Sequence, residues 1–224
     1  MTDLTTITRL RGSVDGLSIG LCGDLKNGRT VHSLIKALAK FERIKFYLIS
    51  PRELAIPDYI RVFMKENRQW NVEVTNLDAV MPQLDVLYMT RIQRERFTNP
   101  LEYERNKGVY ILTKRKLERA RDRMLVMHPL PRVDEIAPDV DDDPRAVYFQ
   151  QAQFGMYIRM ALLADLANQE KQTPQPVSLE GSRRCRNPNC ITKDEWYLPP
   201  LTKQMGGEEC CAYCDKAVPE QAGQ

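Results

Sequence analysis

Gly23-Asp24-Leu25-Lys26-Asn27-Gly28-Arg29-Thr30-Val31-His32-Ser33 sits between two different periodicities. Before it, Leu17-Ser18-Ile19-Gly20-Leu21-Cys22 is an apolar run short enough for a buried strand. After it, Val31, Leu34, Ile35 and Leu38 recur at helical spacing, with Lys36 and Lys40 on another face. The stretch therefore reads as a strand, a turn bounded by glycines, and a helix whose first turn carries Arg29, Thr30 and Ser33. Such a turn leaves backbone N–H groups without helical partners, and anions settle there. Arg29 adds a planar fork suited to a carboxylate or a phosphate. An ordinary βα turn with a surface arginine fits the same residues.

Working outward, Met1 to Arg11 reads as a helix through Leu4, Ile7 and Leu10, and Gly12 to Gly16 turn into the first strand. Lys45-Phe46-Tyr47-Leu48-Ile49 is a second strand ending at Ser50-Pro51. Pro57 opens a helix with Ile60, Phe63 and Met64 as its stripe, because proline in the first turn forfeits no hydrogen bond. Val72-Glu73-Val74-Thr75 alternates like a short strand, and Asn76-Leu77-Asp78 breaks it. Val86-Leu87-Tyr88-Met89 is a fourth strand, fully apolar. Val109 to Leu112 and the basic, polar Leu117 to Arg123 lead to a fifth, Leu125-Val126-Met127. Met156 to Asn168 is the last long helix, apolar on more than one face.

Apolar strands alternating with amphipathic helices predict an α/β fold, a doubly wound parallel sheet covered on both sides. Ligands bind such sheets beyond the carboxyl ends of the strands. Asp24 to Arg29, Thr90 to Gln93 and His128 to Pro131 all fall at strand ends. Three separate stretches thus converge on one edge.

The chain has 224 residues, 42% hydrophobic and 28% charged, which is ordinary for a globular protein. A net charge of +3 is too small to argue for a nucleic-acid surface, so any anion site must be built locally. No run is long enough to span a membrane, and the first residues lack a basic segment followed by an apolar core. A cytoplasmic location is the expectation. Gln169 to Ser182, with Pro174 and Pro176, reads as a semi-rigid linker between a domain at 1–168 and a small one at 183–224.

Several groups carry candidate chemistry. Arg91 and Gln93 alternate after a strand end, so an extended backbone points both the same way. With Arg29 they offer two guanidiniums and an amide, enough for both carboxylates of a dicarboxylic amino acid. A salt bridge from Arg91 to Glu95 or Glu135 is the structural alternative. Pro129-Leu130-Pro131 restrains its backbone twice and can present the carbonyls of Leu130 and Pro131 to a ligand. His32 and His128 are the only histidines, and either is a candidate acid or base by type. Near the carboxyl end, Cys185-x4-Cys190 and Cys211-x2-Cys214 supply four thiols, with Cys210 as a fifth beside the second pair. Four thiolates suit a structural, tetrahedral zinc, which folds a module too small for its own core and leaves no open catalytic position.

Four stretches in order carry a resemblance: Gly23 to Ser33, Tyr88-Met89-Thr90-Arg91-Ile92-Gln93-Arg94-Glu95-Arg96, His128-Pro129-Leu130-Pro131-Arg132-Val133-Asp134-Glu135, and Tyr148-Phe149-Gln150-Gln151-Ala152. Together they resemble the aspartate-binding domain of the aspartate transcarbamoylases, which carbamoylate aspartate in pyrimidine synthesis. The resemblance implies that Arg29, Arg91 and Gln93 bind L-aspartate. It also implies that Leu130 and Pro131 contact the carbamoyl group of carbamoyl phosphate across a cis Leu-Pro bond. It assigns neither histidine an acid–base role, and both are read as structural. Arg94 to Lys107 resembles the loop that closes over aspartate. Cys-x-Asn-x-Asn-Cys-Ile and Cys-x-Tyr-Cys-x-Lys resemble the zinc domain of the family's bacterial regulatory chain, which favours Cys211 over Cys210 as a ligand. A homo-oligomer built on trimers is also implied.

The resemblance implies only part of the family's machinery. The Ser-Thr-Arg-Thr-Arg run that binds phosphate in the family does not occur in the sequence. The expectation is the aspartate half of a transcarbamoylase fused to a zinc domain, inactive unless a carbamoyl phosphate domain is supplied. A non-catalytic homologue that docks on a transcarbamoylase through its zinc domain is the alternative.

Overall fold

The computed structural model describes residues 1–92, 97, 99, 101, 103–104, 108–168 and 185–218. It divides into two compact units, Met1–Ala164 and Asp165–Gln224. The stretch read as a linker lies outside the described residues, as does Gln93.

The first unit is built on five parallel strands: β1 (Ser18–Cys22), β2 (Lys45–Ile49), β3 (Trp70–Val74), β4 (Val86–Met89) and β5 (Leu125–Met127). Their order is β3-β2-β1-β4-β5, so the chain winds outward from β1 in one direction and then returns to its other side. The reversal between β1 and β4 opens a crevice at the strands' carboxyl ends.

Two clusters of buried side chains cover the two faces. One joins Ile19 and Leu21 of β1 and Phe46 and Leu48 of β2 to Val31, Leu34, Ile35 and Leu38 of α2 (Arg29–Leu38), with Ile60 and Met64 of α3 (Asp58–Glu66). Ile7 of α1 (Thr2–Arg11) closes it. The other joins Cys22, Ile49, Leu87, Met89 and Val126 to Leu77, Met81, Leu84, Leu112, Leu117, Ile136, Val140 and Tyr148. Alternation along each strand sends neighbouring side chains to opposite clusters, and each fully buried Leu or Ile contributes about 1.5–3 kcal/mol.

The structure departs from the sequence reading in several places. The last long helix runs Tyr148–Asn168 and so begins eight residues before Met156. The stretch Tyr148 to Ala152 forms its opening turn. Its buried positions, Tyr148, Gln151 and Gly155, have helical spacing but are polar or small, so no apolar stripe announces them. Gly155 lets the helix approach α1, since a Cβ there would stand 3.3 Å from Thr2 Cγ2. Strand β3 starts at Trp70 and ends at Val74, an edge strand whose outer positions are exposed. Asn76 does more than break that strand: its side chain accepts from the Asp78 N–H at 2.9 Å and caps the short helix Leu77–Val80. Within Val109 to Leu112, only Leu112 pairs, in an isolated bridge to Ile136. Among the described residues, no helix is long and apolar enough to cross a membrane.

The second unit contains an antiparallel hairpin, β6 (Thr202–Met205) and β7 (Glu208–Cys211). Its two-residue turn, Gly206-Gly207, has φ 62° and 88°, values that a primed hairpin turn requires and glycine meets without strain. The buried set here is Cys185, Cys190, Cys211 and Val218, flanked by Tyr213 and Cys214. Sulfur rather than hydrocarbon dominates its interior.

Candidate functional site

At the carboxyl edge of β1, β4 and β5 lies a cleft of about 340 Å³, lined by residues that include Asp24, Arg29, Thr90, Arg91, Leu130 and Pro131. Each wall comes from a different strand end. Gly23 follows β1 with φ 117°, and a Cβ there would stand 2.4 Å from the Thr90 carbonyl oxygen. Only glycine lets the β1 and β4 ends close so tightly. The Thr90 hydroxyl then donates to the Cys22 carbonyl at 2.9 Å and accepts the Asp24 N–H at 3.0 Å. Asp24, buried, folds the next turn by accepting the Asn27 N–H at 2.9 Å. Gly28 then precedes α2, with no side chain capping the helix. Arg29 opens the helix and is exposed at the rim of the cleft, while Arg91 is half-buried.

The Pro-Leu-Pro wall is fixed from behind. The Leu130–Pro131 peptide is cis, and Leu130 has φ 47°. His128 is buried; its Nε2 lies 2.7 Å from Glu135 Oε1, and its Nδ1 lies 2.8 Å from the Leu130 nitrogen. Glu135 Oε2 accepts the N–H groups of Val133 and Asp134 at 3.1 Å each. Burial pushes the Glu135 carboxyl up, but the hydrogen bonds from His128 and the backbone outweigh it and hold the group below its ordinary range. Glu135 is thus engaged on both oxygens; Glu95, the other partner considered for Arg91, lies outside the described residues. Arg132 completes the support, pairing with Asp141 and donating to the Tyr148 hydroxyl at 3.0 Å. Tyr148 also donates to Asp141.

The structure therefore gathers Arg29, Arg91, Leu130 and Pro131 around one cleft. His32 stands apart, with Nε2 2.7 Å from the Leu25 carbonyl and Nδ1 2.6 Å from the Tyr59 hydroxyl. Sequence reasoning weighed Glu135 only as a partner of Arg91, quoted Tyr148 and Gln151 only within a resemblance stretch, and missed Asp141 and Asp3 as supports. Gln151 Oε1 accepts the His128 N–H at 2.9 Å, and its Nε2 donates to Asp3 Oδ1 at 2.8 Å. The available signal was the buried polar spacing of Tyr148 and Gln151.

In the second unit, the sulfurs of Cys185, Cys190, Cys211 and Cys214 all lie within 4.8 Å of one another. Cys185 and Cys214 are 3.5 Å apart, and Cys190 and Cys211 are 3.8 Å apart. A tetrahedral zinc with Zn–S bonds of about 2.3 Å sets its sulfurs about 3.8 Å apart. The donor set and its spacing fit that ion, and Cys210 is outside the quartet.

Comparison with known proteins bears on the first unit. The family pattern for the aspartate/ornithine carbamoyltransferase Asp/Orn binding domain matches residues 15–166. The aspartate carbamoyltransferase catalytic subunit of Lachnoclostridium phytofermentans is 59% identical over 170 residues, covering 75% of this chain and 55% of that protein. Among solved structures, the catalytic subunit of M. jannaschii aspartate transcarbamoylase aligns with TM-score 0.70 and 48% identity, covering 74% of this chain and 55% of that one. Aspartate transcarbamoylase from Trypanosoma cruzi, in complex with aspartate and phosphate, aligns with TM-score 0.63 and 41% identity, covering 72% and 51%. The chain spans about half the length of the relatives it matches. With a strand order, a crevice and a family pattern that agree over the same residues, the chain belongs to the aspartate/ornithine carbamoyltransferase family through its Asp/Orn binding domain.

Proposed function

We propose that this chain supplies the aspartate-binding half of an aspartate carbamoyltransferase. The observation that carries the reading is the meeting of two guanidinium residues and the Leu130-Pro131 turn on one cleft. L-Aspartate brings two carboxylates, which Arg29 and Arg91 match in charge and planar geometry, with Gln93 as the third assigned contact. Carbamoyl phosphate brings an NH2 group that can only donate, and the carbonyls of Leu130 and Pro131 can only accept. In the reaction the neutral aspartate amine attacks the carbamoyl carbon. A C–N bond forms, the C–O bond to phosphate breaks, and the proton lost by the nitrogen passes to the departing phosphate. This half of the site orients the nucleophile and the carbamoyl group; its contribution is positioning, without a covalent intermediate.

The phosphate-binding half belongs, in this reading, to a carbamoyl phosphate domain of the kind that completes the family's fold. Met156, Met160 and Leu163 on the long helix, all about half or more exposed, give such a domain an apolar surface to cover. We propose further that the second unit is a zinc module held by Cys185, Cys190, Cys211 and Cys214, the metal replacing the missing hydrocarbon core. The zinc is structural, since four thiolates leave no open position for substrate.

The test joins the 224-residue chain to the amino-terminal half of the Lachnoclostridium phytofermentans relative and measures carbamoyl aspartate formation. Activity that falls about thirtyfold or more with Arg91→Ala supports the reading, since a charge partner lost from a binding site costs about 2–5 kcal/mol. A joined protein that folds and binds carbamoyl phosphate but forms no product refutes it.

A further inference from the structure

The loop Pro129-Leu130-Pro131 lines the cleft in a conformation its own residues do not favour. Leu130 lies at φ 47°, in the left-handed region that non-glycine residues rarely enter. Something must over-determine it. The only described partner of the Leu130 N–H is the Nδ1 atom of His128, two residues back, at 2.8 Å.

That contact decides the protonation of the imidazole. A backbone N–H only donates, so Nδ1 must carry a lone pair and no proton. The ring proton is then on Nε2, facing Glu135 Oε1 at 2.7 Å. An imidazolium would set two N–H groups against each other at the Leu130 end. Glu135 cannot turn away, because its second oxygen is held by the amides of Val133 and Asp134. The His128 main chain is fixed as well: its N–H enters Gln151 Oε1 at 2.9 Å, and Asp3 sets the orientation of that amide by accepting from Nε2 at 2.8 Å. His128, Glu135 and Gln151 are 2%, 5% and 3% exposed, so water does not compete for these bonds.

We propose that His128 is a positioning residue for the carbonyl pair of Leu130 and Pro131. Glu135 fixes it as the neutral Nε2–H tautomer, and its bare Nδ1 holds Leu130 in the left-handed conformation that presents the loop to substrate. The proposal rests on the carbamoyltransferase reading only for what the loop contacts; the tautomer and its hold on Leu130 stand without it. It removes His128 from candidacy as a general acid or base, since both ring nitrogens are engaged inside the protein.

The direct test needs no substitution: nitrogen-15 NMR of the histidines in the full chain at neutral pH. The expected spectrum shows His128 neutral, protonated on Nε2 and bare at Nδ1. A ring protonated at Nδ1, or at both nitrogens, overturns the proposal. Two variants then separate anchoring from packing. In H128N the new carbonyl oxygen sits near the place of Nδ1 and can still accept the Leu130 N–H. In H128Q the longer side chain reaches toward Glu135 and leaves that N–H alone. Hydrogen exchange at the Leu130 amide should accelerate about tenfold more in H128Q than in H128N. Equal acceleration in the two variants overturns the anchoring role.

The joined enzyme adds a functional arm. At saturating aspartate, kcat should fall further in H128Q than in H128N, and the reverse order or equal losses would count against the proposal. If the joined enzyme folds and binds carbamoyl phosphate yet makes no carbamoyl aspartate, the carbamoyltransferase reading falls, while the tautomer and exchange results still decide the role of His128.

Discussion

Gly23 is the position where the local geometry makes the strongest demand on one residue, so Gly23→Ala is the sharpest perturbation of the frame beneath the cleft. Two penalties arise. An alanine at φ 117° sits in backbone territory that L-residues avoid, which costs about 1–3 kcal/mol. Its Cβ would also stand 2.4 Å from the Thr90 carbonyl oxygen and 2.5 Å from Thr90 Oγ1. Relief requires Thr90 to move, but its N–H is bound to the Cys22 carbonyl at 2.8 Å and its hydroxyl bridges Cys22 and Asp24. Giving up one such buried bond costs about 1–3 kcal/mol more. The sum is about 2–6 kcal/mol. Urea unfolding followed by far-UV circular dichroism should show the midpoint of the first unit falling by roughly 1 M, taking about 3 kcal/mol lost and a slope of about 3 kcal/mol per M. A midpoint unchanged within about 0.2 M would mean that the β1 and β4 ends do not meet as described. Because Asp24 and Thr90 both line the cleft, the same substitution should weaken ligand binding in whatever fraction remains folded.

Asp143 gives a pH signature. The Arg145 guanidinium, at 2.7 and 2.8 Å, holds its carboxyl below the usual aspartate range. A carboxylate depressed in the folded state adds stability above its unfolded pKa, about 3.9, and loses it as pH falls toward the folded value. Asp143→Asn should therefore be less stable than the parent at pH 7, with the gap narrowing as pH falls below about 4; a gap independent of pH counts against the pairing. Metal analysis of the purified chain should find one zinc, and Cys211→Ser should lose it while Cys210→Ser keeps it. Equal zinc content in the two variants would exclude the assigned quartet. Arg132→Ala should strip the Pro-Leu-Pro wall of its link to Asp141 and Tyr148, destabilising the unit by about 1–3 kcal/mol; a thermal midpoint identical to the parent's contradicts that link.

Which parts of this molecule could be read from its sequence follows from how each part is stabilised. Strands β2, β4 and β5 are apolar on both faces because both faces of the sheet are covered, and their limits are as the hydrophobic runs suggest. The cleft could be located because its walls follow those strands, so Arg29, Arg91, Leu130 and Pro131 needed only the sheet edge to bring them together. The first two turns of the long helix were missed for the opposite reason. Tyr148, Gln151 and Gly155 are buried to make hydrogen bonds and to admit α1, and neither purpose leaves an apolar stripe. The hidden residues are also the ones that brace the site. Asp3 lies 148 residues from Gln151, and Glu135 looks like any surface acid until His128 is seen against it. Polar support of this kind is fixed by long-range geometry rather than by local spacing, so a sequence shows the groups that face a ligand sooner than the groups that hold them. For this cleft the consequence is concrete. The exposed Arg29 reaches solvent from the first turn of a helix, while the strained Leu130 depends on a buried imidazole, a carboxylate and an amide drawn from two elements. Substitutions behind the Pro-Leu-Pro wall should therefore disturb the site as much as substitutions on it.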